Sequence, residues 1–233
     1  RHLTRDDLDR FHNVAIDVLN RPDPSFELPD DRRWMAGVLG KRPRHSNMLR
    51  AGIANTLAVI GARGDSIQIT GGVTIGGYAG ACVRKILEDA GWKVWASLPL
   101  TLLAEAAPDE FLAAVDRGLA GDQPILLELF REKGDALFSS PAHTQLLFAL
   151  ETLAWSDAYL SRVVIALAKL ARIDPGGRWA NRPLASLRSI FLLWLPQTRA
   201  SLEKRLRALD SLRERIPEVA WKVMDALLPK ETD

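Results

Sequence analysis

Cysteine is almost absent from this chain. Its 233 residues contain one, Cys82, which excludes an internal disulfide framework and a cysteine-based zinc site and points to a reducing, cytoplasmic setting. Histidine is nearly as scarce. His2, His12, His45 and His143 include no pair at the i, i+4 spacing that puts two zinc ligands on one helix face. Long apolar runs are missing too. The longest candidate, Val163 to Ala171, is cut by Lys169 and falls short of the roughly 20 residues that a membrane-spanning helix needs. No signal-peptide pattern opens the chain, which begins Arg1-His2-Leu3 without Met and reads as a piece of a longer polypeptide. Charge of one sign is also lacking. A formal net charge of +2 with 47% hydrophobic residues excludes both disorder and a dedicated polyanion binder.

What the chain does have is helical periodicity punctuated by proline and glycine. Thr4, with Asp7 three residues on, caps a first helix whose Leu8, Phe11, Ala15 and Val18 share a face. Pro29 opens a short helix ending at Gly40, with Trp34 and Val38 four apart. Ser46 or Asn47 begins the next, with Leu49, Ile53, Leu57 and Ile60 as its stripe. Residues 66–75 alternate apolar and polar about Gly71-Gly72, the pattern of either a small β-hairpin or an irregular loop. A helix carrying Val83, Ile86 and Leu87 follows, and Trp92 and Trp95 mark the join between an N-terminal part (1–95) and a more regular part (96–233).

From there the rhythm is steady. Helices are expected from Leu98 to Ala106, from Pro108 through Leu119, from Asp122 and Pro124 with Ile125, Leu126, Leu129 and Phe130 inward, and after Ser140-Pro141. A helix from Asp157 to Ala171 is apolar nearly all round and belongs between neighbours on several sides. Pro183 opens a helix with Leu187, Ile190, Phe191 and Trp194. Leu202, Leu206, Leu209, Leu212 and Ile216 form the stripe of another, and Pro217 opens the last. Leu103 to Asp109 and Leu212 to Glu218 share the pattern Leu-x-Glu-x-x-Pro-acid. Each copy reads as a helix end, a tight turn and a proline-started helix, spaced as three units of a helical repeat. The expectation is an all-α, right-handed α-solenoid-like array of HEAT-like or TPR-like hairpins.

Catalytic signatures are not found. Gly71 and Gly76 have the spacing of a phosphate loop, but Gly77 and Tyr78 stand where its lysine and hydroxyl belong. Cys82 falls in an apolar helix pattern, as a buried inert thiol does. His12 and His143 fall near apolar stripes and read as packed residues. No catalytic residue, metal or cofactor is expected. Lys41, Arg42, Arg44 and Arg50 form the densest basic cluster, which reads as a charge-balanced face beside Asp30 and Asp31 or as a phosphate-binding patch. The loop from Asp174 to Pro183 carries Arg178, Trp179, Asn181 and Arg182, residue types found at binding hot spots. Its alternative is a purely structural turn in which Trp179 folds inward and Asn181 caps the next helix.

The segments Trp95-Ala96-Ser97-Leu98, Leu102 to Pro108, Leu153-Ala154-Trp155-Ser156, Ile173 to Pro183 and Trp194-Leu195-Pro196-Gln197-Thr198, with Leu49 to Gly61, resemble the helical region of large bacterial STAND-type NTPases. The resemblance implies a sensor or scaffold that follows an effector and a nucleotide-binding module, in several cases sensing a phage protein. Neither of those modules' motifs is present, so neither activity carries over. The leading expectation is therefore a non-catalytic protein-interaction module with Trp155, Tyr159, Arg178, Trp179, Asn181 and Arg182 as contacts, its partner a protein or other domains of a larger chain. A nucleic-acid-binding helical array or HEAT-like DNA glycosylase using Lys41, Arg42, Arg44 and Arg50 is the alternative, and a structural spacer is a third reading.

Overall fold

Caps and prolines cut this chain into short helices, none able to bury its apolar face alone, so they stack. The computed structural model describes residues 3–69, 75–131, 141–177 and 179–228. Its α-helices are α1 (Arg5–Leu19), α2 (Asn47–Arg63), α3 (Gly76–Leu87), α4 (Trp92–Ser97), α5 (Leu100–Ala106), α6 (Pro108–Gly118), α7 (Thr144–Ala154), α8 (Leu160–Ile173), α9 (Pro183–Phe191), α10 (Leu202–Arg215) and α11 (Pro217–Leu227). There is no strand among the described residues. The hairpin expected near 66–75 turns on residues 70–74, which lie outside them.

Ten helices form two rows. In one row α1 packs on α3, α3 on α6, α6 on α8 and α8 on α10. In the other α2 packs on α5, α5 on α7, α7 on α9 and α9 on α11. Rungs between the rows join α1 to α2, α3 to α5, α8 to α9 and α10 to α11. This is the expected all-α array of hairpins. The buried side chains form one connected cluster from Leu8 to Val223, the continuous spine that stacked repeats produce. Helix α8, in contact with α6, α7, α9, α10 and α11, does lie between neighbours on several sides.

Local chemistry explains the boundaries. Thr4 Oγ1 accepts the Asp7 N–H at 3.2 Å and the Asp7 carboxylate accepts the Thr4 N–H at 3.0 Å, a complete capping box. The two Leu-x-Glu-x-x-Pro copies fold alike. Ala107 (φ −154°, ψ 79°) and Ile216 (φ −141°, ψ 66°) are each the single residue between two helices. Each gives its N–H to the leucine that opens its copy, Leu103 or Leu212, and each is followed by proline at the first helical position.

Several expected stripes are displaced. Residues 29–40 form a 3-10 turn (Asp30–Met35) and further turns, leaving Trp34 and Val38 exposed. Leu98-Pro99 breaks the helix expected from Leu98 to Ala106. Residues Ile125–Phe130 are 3-10 rather than α, with Leu126, Leu129 and Phe130 still buried. Helix α7 starts at Thr144, and Ser140 lies outside the described residues. Leu49, Leu202 and Leu206 are exposed, because α2 buries Arg50, Ile53 and Leu57 and α10 buries Arg205, Ala208 and Leu212.

Arg50 ties the first turn of α2 to two other helices. Its Nη1 donates to the carbonyls of Val18 and Arg21, both at 2.8 Å, and its Nη2 to those of Ser97 at 3.0 Å and Leu19 at 3.3 Å. These acceptors lie at the C-terminal ends of α1 and α4, where carbonyls lack intrahelical partners and the helix dipole is negative. Burial lowers the Arg50 pKa while nearby Asp23 raises it; a guanidinium remains charged regardless. Farther along α2, Gly61 lies so close to α5 that a Cβ would sit 1.9 Å from the Ala106 carbonyl oxygen, whereas one on Gly52 meets nothing within 4 Å.

Two outcomes test this packing by chemical denaturation. Arg50→Met, which leaves four carbonyls without a donor, lowers stability by about 3 kcal/mol or more, and Arg50→Lys recovers only part, since an ammonium cannot span all four. Gly61→Ala costs about 1–3 kcal/mol through forced separation of α2 and α5, while Gly52→Ala in the same helix raises stability by roughly 0.5–1 kcal/mol.

Candidate interaction surface

The loop between α8 and α9 closes on itself. Asp174 Oδ1 accepts the Gly176 N–H and an Arg182 Nη1–H, both at 3.0 Å, and Arg182 Nε donates to the Trp179 carbonyl at 3.2 Å. The Asp174 and Arg182 side chains are each only 12% exposed, so Arg182 is a staple within the loop, not a contact for a partner. Asn181 does not cap α9: the cap is Arg182, without a side-chain hydrogen bond. The Asn181 carbonyl instead meets His143 Nε2 at 2.9 Å. Trp179 is half-buried, and Arg178 lies outside the described residues.

His143 is a buried clip. Its ring stacks on Phe130 (centroids 4.8 Å apart, planes at 13°) and lies between the Asn181 and Leu129 carbonyls. Burial pulls its pKa below the ordinary 6.5; the two carbonyls oppose that shift and the Arg182 cation reinforces it. Cys82 is fully buried, and burial pushes its thiol up to about 12, which removes it as a nucleophile. Among the described residues no group of three or more His, Cys, Asp or Glu side chains could hold a metal ion, and no helix is long and apolar enough to cross a membrane.

The basic cluster divides. Arg50 is buried and its hydrogen bonds are committed to carbonyls, so it is not a phosphate donor. Lys41 pairs with Glu27, whereas Arg42 and Arg44 are exposed.

The most conspicuous surface is one that helical periodicity concealed. Trp194 reads as the continuation of the α9 stripe, yet α9 ends at Phe191 and Leu193, Trp194 and Leu195 stand 67%, 78% and 71% exposed. The signal lies in Pro196, which disfavours helix at the residue before it. This tip is held at both ends. Arg205 Nη1 donates to the Leu192 carbonyl at 2.9 Å, and the Gln197 N–H donates to the Ser189 carbonyl at 2.9 Å. Thr198 Oγ1 donates to the Ala154 carbonyl at 2.6 Å, and the Arg199 N–H to the Trp155 carbonyl at 3.3 Å. Trp155, half-exposed at the end of α7, lines an open hollow with Asp157 and Arg199. Tyr159 is half-buried, and its hydroxyl donates to Asp109 at 3.4 Å. Trp155 therefore stays on an accessible surface, next to a rigid apolar tip. Leu202, Leu206 and Trp221 add exposed apolar area on α10 and α11.

Comparison with protein-family models, curated proteins and solved structures gives no match for this chain.

The His143 clip makes stability depend on pH. The folded state binds this proton more weakly than the unfolded chain, so His143 favours folding least once pH falls below the ordinary value. The urea midpoint of the native chain drops between about pH 7.5 and about pH 5.5, and the drop is smaller in His143→Gln.

Proposed function

We propose that this array is a non-catalytic protein-interaction module, the sensor or scaffold part of a larger, cytoplasmic bacterial NTPase of the STAND type. One observation carries the interaction reading: three consecutive large apolar side chains, Leu193-Trp194-Leu195, are held in water by a loop braced at four points. An exposed run of this kind costs solubility and has no role in the core, whereas tryptophan in a preorganised loop is a typical binding anchor. Rigidity matters because a tip already held in place loses little conformational freedom when it docks. Trp155 extends the surface, with Tyr159 as half-buried support, whereas Trp179 lies in the loop at the opposite ends of α7 and α9.

The non-catalytic part of the reading is supported by the fate of the reactive side chains. The single thiol is buried and protonated, His143 is held between carbonyls, and both tyrosine hydroxyls are bonded to carboxylates. The parent chain is the proposal that the resemblance of the helical segments supports.

A photo-crosslinking side chain placed at position 194 or 155 in cells expressing the intact gene yields a discrete protein adduct, while one at Arg207, on the solvated side of α10, yields none. Adducts at all three positions, or at none, overturn the surface. For the partner so identified, Trp194→Ala weakens binding by about ten- to a hundred-fold. The coding sequence flanking this chain contains a nucleotide-binding module, and a gene without one overturns the assignment of the parent.

A further inference from the structure

A second feature, far from the apolar tip, has the chemistry of a ligand site. Where the end of α1, the start of α2 and the α4–α5 junction meet, a cleft of about 390 Å³ opens to solvent. That volume falls in the range of small-molecule pockets. Arg21, Arg44, His45 and Arg50 line it, with Asp23 as the one carboxylate among its walls. Asp23 is itself engaged, its Oδ1 accepting the Ser25 N–H at 2.8 Å.

The positive charge here is only partly answered. Arg50 has its donors satisfied by four carbonyls, but no carboxylate among the described residues touches it. Arg21 pairs with Asp17 at 2.6 Å, an exposed bridge that a stronger anion can displace. Arg44 makes no direct ion pair among the described residues, although its charge acts on the Asp17 carboxylate that Arg21 holds. His45 Nε2 is buried with no hydrogen-bond partner. That nitrogen is closed off from solvent, so a ligand in the cleft reaches the imidazole only through its other ring nitrogen, Nδ1. Helix α2 begins at the rim with Asn47, and the positive end of this 17-residue helix adds to the same field. Phe26, Pro22 and Pro43 supply apolar wall beside the cations.

We propose that this cleft binds a small phosphate-bearing ligand. Arg44 and the His45 Nδ1 donate to its phosphate oxygens, Arg50 contributes charge from beneath, and the Phe26 and proline wall receives any organic body it carries. The cavity suits one phosphate group and a compact substituent, and the buried Arg50 cannot reach the backbone of an extended polyanion.

The test is calorimetric titration of the chain with three probes: inorganic phosphate, adenosine monophosphate and adenosine. Saturable binding of either phosphate compound, at least about ten-fold weaker in Arg44→Ala and in His45→Ala and unchanged in Arg63→Ala at the far end of α2, supports the site. The ratio of the two phosphate affinities tells whether the free ion or an organic phosphate is the better occupant. Failure of both phosphate compounds to saturate, equal affinities in the native chain and both cleft variants, or adenosine binding as tightly as its monophosphate, overturns it. Thermal melts of the variants in the absence of ligand confirm that each is folded before the affinities are compared.

Discussion

The Arg50 guanidinium, held by four carbonyls from the ends of two helices, sets the geometry of the whole N-terminal half. Helix ends leave carbonyls that water cannot reach once neighbours close over them, and each is costly if unpaired. One planar side chain with donors on two nitrogens meets this demand at the ends of α1 and α4 together. It thereby fixes where α2, which carries it, sits between them. From that anchor α2 lies along α5, close enough at Gly61 to exclude any side chain, and the second row of the array follows from α5 through α7 and α9 to α11.

The same array explains why its surfaces differ in character. A stacked helix has one face toward the preceding unit, one toward the following unit and one toward the other row. What remains is available for recognition. Along α8 little remains, because five helices surround it. At α10 and α11 more does, and there Leu202, Leu206 and Trp221 stand exposed among charged side chains, in addition to the braced tip between α9 and α10. At the other end of the array, the free area is a cationic cleft where helix ends converge. The two sites thus arise from different consequences of stacking, leftover flanks in one case and converging termini in the other.

Much of this was legible in the residues. The periodic stripes announced helices, and the proline-started junctions announced where one helix hands over to the next. The repeated Leu-x-Glu-x-x-Pro pattern returned the same backbone conformation at Ala107 and Ile216. The inert reading of Cys82 and the packed reading of His143 followed from their apolar neighbours. What stayed hidden was decided by partners distant in sequence. Nothing near Arg50 announces that its hydrogen bonds are spent on the carbonyls of Val18, Leu19, Arg21 and Ser97. Periodicity placed Leu202 and Leu206 inward, yet α10 turns Arg205, Ala208 and Leu212 inward in their place. Arg182 looked like a contact by residue type, but Asp174 takes up its guanidinium, and it is the Asn181 carbonyl that meets His143.

Cys82 is deep in α3 and its thiol is held in the protonated form at neutral pH. Electrophilic reagents need an accessible thiolate, so the unmodified chain is silent toward maleimides and similar labels. A fluorophore or spin probe can then be attached through a single introduced cysteine on the tip or at the cleft, with no need to remove the natural one and no cavity left in the α3 packing.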